Sequence, residues 1–153
     1  MKKLDVGQSV GILANVGVLA GIVFLGIEIN QNTTSIEVGA YQELTAQISR
    51  INELGIENPG SWLSLTGNRK LSELSPEEQE RVSSMFLLVV RHGDLAFYQY
   101  ERGMISEERL ESALAVMTNN LCTPNFRELW STYNLAFVPS YRSYVESRIG
   151  GCE

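Results

Sequence analysis

The sequence predicts an all-α protein: a single N-terminal transmembrane helix continuing into a compact bundle of about four to five helices. Three observations carry that reading. An uncharged apolar stretch runs from Val6 to Ile27. Apolar residues then recur at helical spacing, punctuated by Ser-Pro, Thr-Pro and Gly signals. No strand-like alternation of useful length and no internal repeat occurs anywhere in the 153 residues.

The apolar stretch, VGQSVGILANVGVLAGIVFLGI, covers roughly 33 Å as a helix at about 1.5 Å per residue. A bilayer core is about 30 Å thick, so the length suffices to cross it. Lipid offers the backbone no hydrogen-bond partner, which makes a helix the required conformation. Gln8, Ser9, Asn15 and the glycines lower its hydrophobicity. A buried core helix of a soluble protein, packed on its own bundle or on a twin chain, is the alternative. A cleavable signal peptide is another: Lys2 and Lys3 suit its basic start, but the stretch is long and no A-x-A site follows. Lys2 and Lys3 precede the stretch, and the next basic residue is Arg50, which favours a cytoplasmic N-terminus.

One face of this helix is small. Gly7, Gly11, Ala14, Gly17 and Gly21 lie within about a third of a turn when stepped at roughly 100° per residue. Asn15 borders that face, and Glu28 continues it at the membrane edge. Small residues let helix backbones approach closely in lipid, so these seven are candidate contacts to a second copy or another membrane helix. Glycine is also simply common in membrane helices.

Beyond Glu28 a polar stretch, residues 29–34, contains no Pro or Gly. Ile36, Ala40, Leu44, Ile48 and Ile51 follow at helical spacing, predicting one long rod that Asn58-Pro59-Gly60 ends. Trp62, Leu63 and Leu65 read as a short apolar turn before Gly67. Ser75-Pro76-Glu77-Glu78 is a capping-box start for a helix running to Tyr100, with Gly103 as its stop. Its apolar run Met85–Val90 is too short to span a bilayer. Ser106 caps the next helix, Thr123-Pro124 another, and a last one starts near Pro139 and stops at Gly150-Gly151. Residues 1–30 therefore read as the anchor and 31–153 as the bundle.

The net charge of −6 and the scattered basic residues argue against nucleic acid, which needs clustered Lys and Arg. Cys122 and Cys152 form no CxxC and have no His nearby, so a metal site is not expected. A disulfide between them requires an oxidising compartment, which the pair alone does not identify. No P-loop, G-x-S-x-G, H-E-x-x-H or dinucleotide fingerprint occurs. Neither a cofactor nor an enzymatic reaction is implied.

Two features invite a site. His92, the only histidine, has Leu88, Val89, Leu95 and Ala96 as helical neighbours, which predicts a packed core residue before a general base or pH sensor. Arg91, Asp94, Tyr98 and Glu101 line one helix face; they read first as ion pairs fixing helix register, and second as a polar pocket for a small ligand. Carboxylate-bridged di-metal bundles need Glu-x-x-His on two helices, which a single histidine cannot supply.

The anchor leading into Ile29-Asn30-Gln31-Asn32-Thr33, then Tyr41-Gln42, Leu74-Ser75-Pro76-Glu77-Glu78, Phe97-Tyr98-Gln99-Tyr100 before Gly103, and Phe126, Trp130 and the Phe137–Tyr144 segment together resemble a group of small bacterial proteins. These pair a membrane anchor with a helical domain, and the likeness covers nearly the whole chain. The group tends to carry Ile-Arg-Gln-Asn-Thr after its anchor; Asn30 here removes a cation on that side. The resemblance implies the bacterial inner membrane and a helical architecture, and transfers no catalytic residue. The expected protein is a non-enzymatic, self-associating interaction or scaffold module, with a ligand-sensing or catalytic bundle and a soluble homodimer as alternatives.

Overall fold

The computed structural model describes residues 6–67 and 69–152; Lys2 and Lys3 lie outside them. Six α-helices and two short 3-10 turns make up the described residues, with no strand among them. The chain divides into two compact units, Met1–Gly39 and Ala40–Glu153.

Helix α1 (Val6–Glu57) is continuous through the polar stretch. The polar side chains there bond within the helix. The hydroxyls of Thr33, Thr34 and Ser35 donate to the carbonyls of Ile29, Asn30 and Gln31 at 3.0, 3.0 and 2.9 Å. Hydroxyls bonded back four residues do not compete for the helix's own N–H groups. In the first unit every residue from Val10 to Gly39 is exposed, Ile36 included. Within the second unit, the remainder of α1 is amphipathic and buries Ala40, Leu44 and Ile51.

Asn58 leaves helical geometry (φ −127°, ψ 60°) because the proline after it disfavours the α region. Pro59 then opens a true helix, α2 (Pro59–Thr66), where the sequence suggests only a turn. Leu65 is its buried residue, and the indole of Trp62 lies against Gly55. A 3-10 turn at Leu71–Glu73 leads to α3 (Pro76–Glu101). The capping box closes as the sequence predicts: Ser75 Oγ accepts from Glu78 N–H (3.3 Å), and the Glu78 carboxylate accepts from Ser75 N–H (2.8 Å). At its far end Gly103 takes φ +67°, and Met104 N–H reaches back to the Gln99 carbonyl at 2.8 Å. Ser106 and Thr123 cap α4 (Glu107–Thr118) and α5 (Pro124–Tyr133). A 3-10 turn at Asn134–Ala136 precedes α6 (Pro139–Ile149).

Helix α3 is the centre of the second unit and packs on α2, α4, α5 and α6. Val82, Phe86, Val89, Val90, Ala96 and Phe97 recur at three- and four-residue spacing on its buried side. Gly93 falls in that row. A methyl group there would overlap the Tyr141 hydroxyl and stand 3.0 Å from Leu114 Cδ2. Tyr141 of α6 is fully buried, and its hydroxyl donates to the Val90 carbonyl at 3.0 Å. A second fixed point is Asn125, 1% exposed. Its amide donates to the Ser64 and Arg69 carbonyls (both 2.6 Å), and its oxygen accepts from Leu71 N–H (3.2 Å). One side chain of α5 thus ties down the connection between α2 and α3.

Two stability predictions follow from these contacts. Gly93→Ala gains about 1 kcal/mol of helix propensity, but overpacking at Tyr141 costs about 1–3 kcal/mol and displacing its hydroxyl from the Val90 carbonyl about 1 kcal/mol more, so urea unfolding should show a net loss of about 1–3 kcal/mol. A neutral or stabilised alanine variant would refute the close approach. Asn125→Ala strands one N–H and two carbonyls, and should cost about 2–4 kcal/mol in the same measurement; a loss under about 0.5 kcal/mol would show that water replaces the amide.

Candidate functional site

The polar stripe on α3 is built from residues that each find a separate local role. The Arg91 guanidinium bonds Asp94 at 3.2 Å, donates to the Ala136 carbonyl at 3.0 Å, and lies 4.3 Å from the Phe137 ring centroid. It ties the 3-10 turn after α5 to α3. Half-exposed Tyr98 lies under the Arg102 guanidinium, 5.3 Å from its ring centroid. Glu101 is exposed in the last turn. A cavity of about 390 Å³ lies toward the other end of α3, lined by residues including Glu57, Ser61, Glu77 and Arg81. None of the four stripe residues lines it.

His92 points elsewhere. It is 4% exposed, with Nδ1 3.5 Å from Gln47 Oε1 on α1. The Ala113 backbone on α4 is a further neighbour. Its Nε2, like Oε1 of buried Gln99 further along α3, has no hydrogen-bond partner among the described residues. Burial pushes the imidazole below its ordinary pKa, opposed in part by the nearby Ala113 backbone. The buried position agrees with the apolar helical neighbours that the sequence supplies. What the sequence does not reveal is that the ring sits at the meeting of α1, α3 and α4.

The anchor candidates occupy a different environment. At Gly11, Gly17 and Gly21 an added Cβ would meet nothing within 4 Å. Ala14, Asn15 and Glu28 are exposed, so no described residue of this chain covers that face. Gly7 is helical, but side-chain surroundings are described only from Val10 onward.

Two features had weaker signals in the sequence. Cys122 and Cys152 are joined as a disulfide with a Cα–Cα distance of 5.4 Å. Their spacing alone does not indicate pairing. Gly93 did carry a signal: an isolated glycine inside the best-capped helix costs stability unless something needs the space. Its partner, Tyr141, lies too far along the chain to be inferred from periodicity.

Fold and surface together define an all-helical protein with one N-terminal helix long and apolar enough to cross a membrane. No family model, no curated protein and no solved structure matches the chain.

The His92 environment has a pH consequence. An imidazole whose folded pKa lies below its unfolded value of about 6.5 binds protons more readily once unfolded. Its contribution to stability is complete above that value and is lost as pH falls through it toward the folded pKa. Unfolding free energies from urea titrations between pH 7.5 and 5 should therefore fall more steeply for the native chain than for His92→Leu, with a slope difference of at most about 1.4 kcal/mol per pH unit. Parallel profiles for the two proteins would rule the effect out.

Proposed function

We propose that this chain is a non-enzymatic, membrane-anchored interaction or scaffold protein. The first part of α1 lies in the bilayer and carries a small helical bundle at the membrane. One observation carries the proposal. The most apolar window of α1 has a mean hydropathy of 2.4, and none of it is buried by the rest of the chain. Twelve large apolar side chains from Val10 to Ile29 are more than half exposed. Each one left in water forgoes on the order of 1.5–3 kcal/mol of burial.

The distribution of these side chains favours lipid over a twin chain. Ile22, Val23, Phe24 and Leu25 are consecutive, so at about 100° per residue they point to every side of the helix. A dimer partner covers one face; hydrocarbon covers all of them. The resemblance to small bacterial anchored proteins supports the inner membrane of a bacterium as the location. Lys2 and Lys3 ahead of the span support a cytoplasmic N-terminus.

Self-association is supported by a face that no described residue fills. Gly17 and Gly21 form a G-x-x-x-G pair, and with Gly11 they offer a groove for close helix approach in lipid. The polar stripe supports the ligand-binding alternative poorly, because Arg91 and Asp94 already satisfy one another and Tyr98 is stacked.

Alkaline carbonate extraction of membranes tests the anchor: the chain should stay in the pellet and be released by detergent, and recovery in the supernatant would overturn the reading in favour of a soluble protein. Crosslinking in the same membranes tests the groove. Gly17→Leu combined with Gly21→Leu should reduce the crosslinked dimer at least severalfold. An unchanged distribution would leave the anchor standing and remove the glycine face as a contact.

A further inference from the structure

Cys122 and Cys152 lie outside the helices, one in the connection between α4 and α5 and the other in the tail after α6. Contacts other than the sulfur atoms hold both positions. The α4–α5 connection is held by Thr123, whose hydroxyl bonds the Asn120 carbonyl, and by Asn125 just beyond it. The tail is held by α6, through buried Tyr141 and Val145 and through the Arg148 guanidinium, which pairs with Glu111 of α4 and stacks on Tyr144 at 4.5 Å. These contacts bring two residues 30 apart in sequence to a Cα–Cα distance of 5.4 Å, inside the range a disulfide requires. Cys122 is exposed and Cys152 half-buried, so the bond lies within reach of soluble thiols.

An accessible pair of this kind stays reduced in the cytosol and oxidised beyond it. The charge pattern points the same way by an independent route. Lys2 and Lys3 precede the apolar stretch, and no Lys or Arg follows until Arg50. We infer that the Cys122–Cys152 pair is a maturation site, closed by an exported thiol–disulfide oxidoreductase, and that the bundle therefore stands on the oxidising side of the membrane.

The chemistry balances as two exchanges. The Cys122 thiolate, the more accessible of the two, attacks the oxidoreductase disulfide; a mixed disulfide forms and one enzyme thiolate leaves. The Cys152 thiolate then attacks the Cys122 sulfur, the Cys122–Cys152 bond forms, and the second enzyme thiolate leaves. The two thiol protons pass to those thiolates. The chain loses two electrons and the oxidoreductase gains them. Arg148 and Tyr141 hold Cys152 in place for the second step. The finished bond secures the last turn of α6 to the far end of α4.

This inference rests on the anchored reading, and one experiment separates the two. The full chain is expressed in a bacterial host with, and without, its exported dithiol oxidase. Cells are acid-quenched, thiols are tagged with a mass-shifting maleimide, and carbonate extraction is run on the same cultures. The expected result is no tagging in the first host without reductant, two tags after reductant, and two tags without reductant in the second host. Cys122→Ser in the first host should expose one taggable thiol at Cys152, whether or not that variant is as stable as the native chain. Free thiols in the first host would overturn the inference; if the chain still pellets, the anchor survives and only the side of the membrane is wrong. Free thiols together with a soluble chain would remove both. Equal oxidation in the two hosts would overturn the oxidoreductase step.

Discussion

Tyr141 enters the bundle at the one place on the buried side of α3 where no side chain stands in its way. Without a side chain at Gly93, α6 can approach α3 until the phenol hydroxyl reaches the Val90 carbonyl. Much of the second unit is arranged around that contact. Phe97 and Phe137 pack on the Tyr141 ring at centroid distances of 5.6 and 5.7 Å, and Trp130 meets it edge-on at 6.4 Å. Arg91 covers the outer side of Phe137. Arg148, further along α6, is carried to Glu111, and Cys152 to Cys122. An aromatic cluster of this size supplies a large apolar area with few rotatable bonds to order.

The same constraint accounts for the place of Arg91 and Asp94 on α3. Arg91 is needed on the surface of the aromatic cluster and on the Ala136 carbonyl, and Asp94 neutralises it there. Its contribution is to hold the 3-10 turn between α5 and α6. Exposed pairs of this sort add modestly to stability, so the stripe reads as register and connection more than as chemistry.

Helix α1 carries two patterns within one secondary structure. Up to Ile29 its apolar residues face every direction. From Ala40 the buried positions Ala40, Leu44 and Ile51 keep to one face. Backbone hydrogen bonding is indifferent to that change, which is why helix geometry persists while side-chain surroundings switch. The hydroxyls of Thr33, Thr34 and Ser35 turn back onto carbonyls of the same helix, an arrangement compatible with its continuation. His92 lies on the bundle side, facing Gln47 of α1, and is the one imidazole whose charge state bears on how α1 and α3 pack.

By itself the sequence determined the helices and most of their ends. Ser75 with Glu78, Ser106, Thr123 with Pro124, and Pro139 act within a single turn, so local chemistry suffices to place them. It determined equally that the stretch before Glu28 is long and apolar enough to cross a membrane. It did not make α2 legible as a helix, because eight residues are too short for periodicity to register. Only the tertiary structure decided that Ile36 is exposed while Ala40 is buried, that Gly93 exists for Tyr141, that Asn125 holds the α2–α3 connection, and that Cys122 meets Cys152. Each of those depends on residues distant in sequence sharing one small volume. Spacing along a chain carries no information about such a meeting until the helices between have been packed.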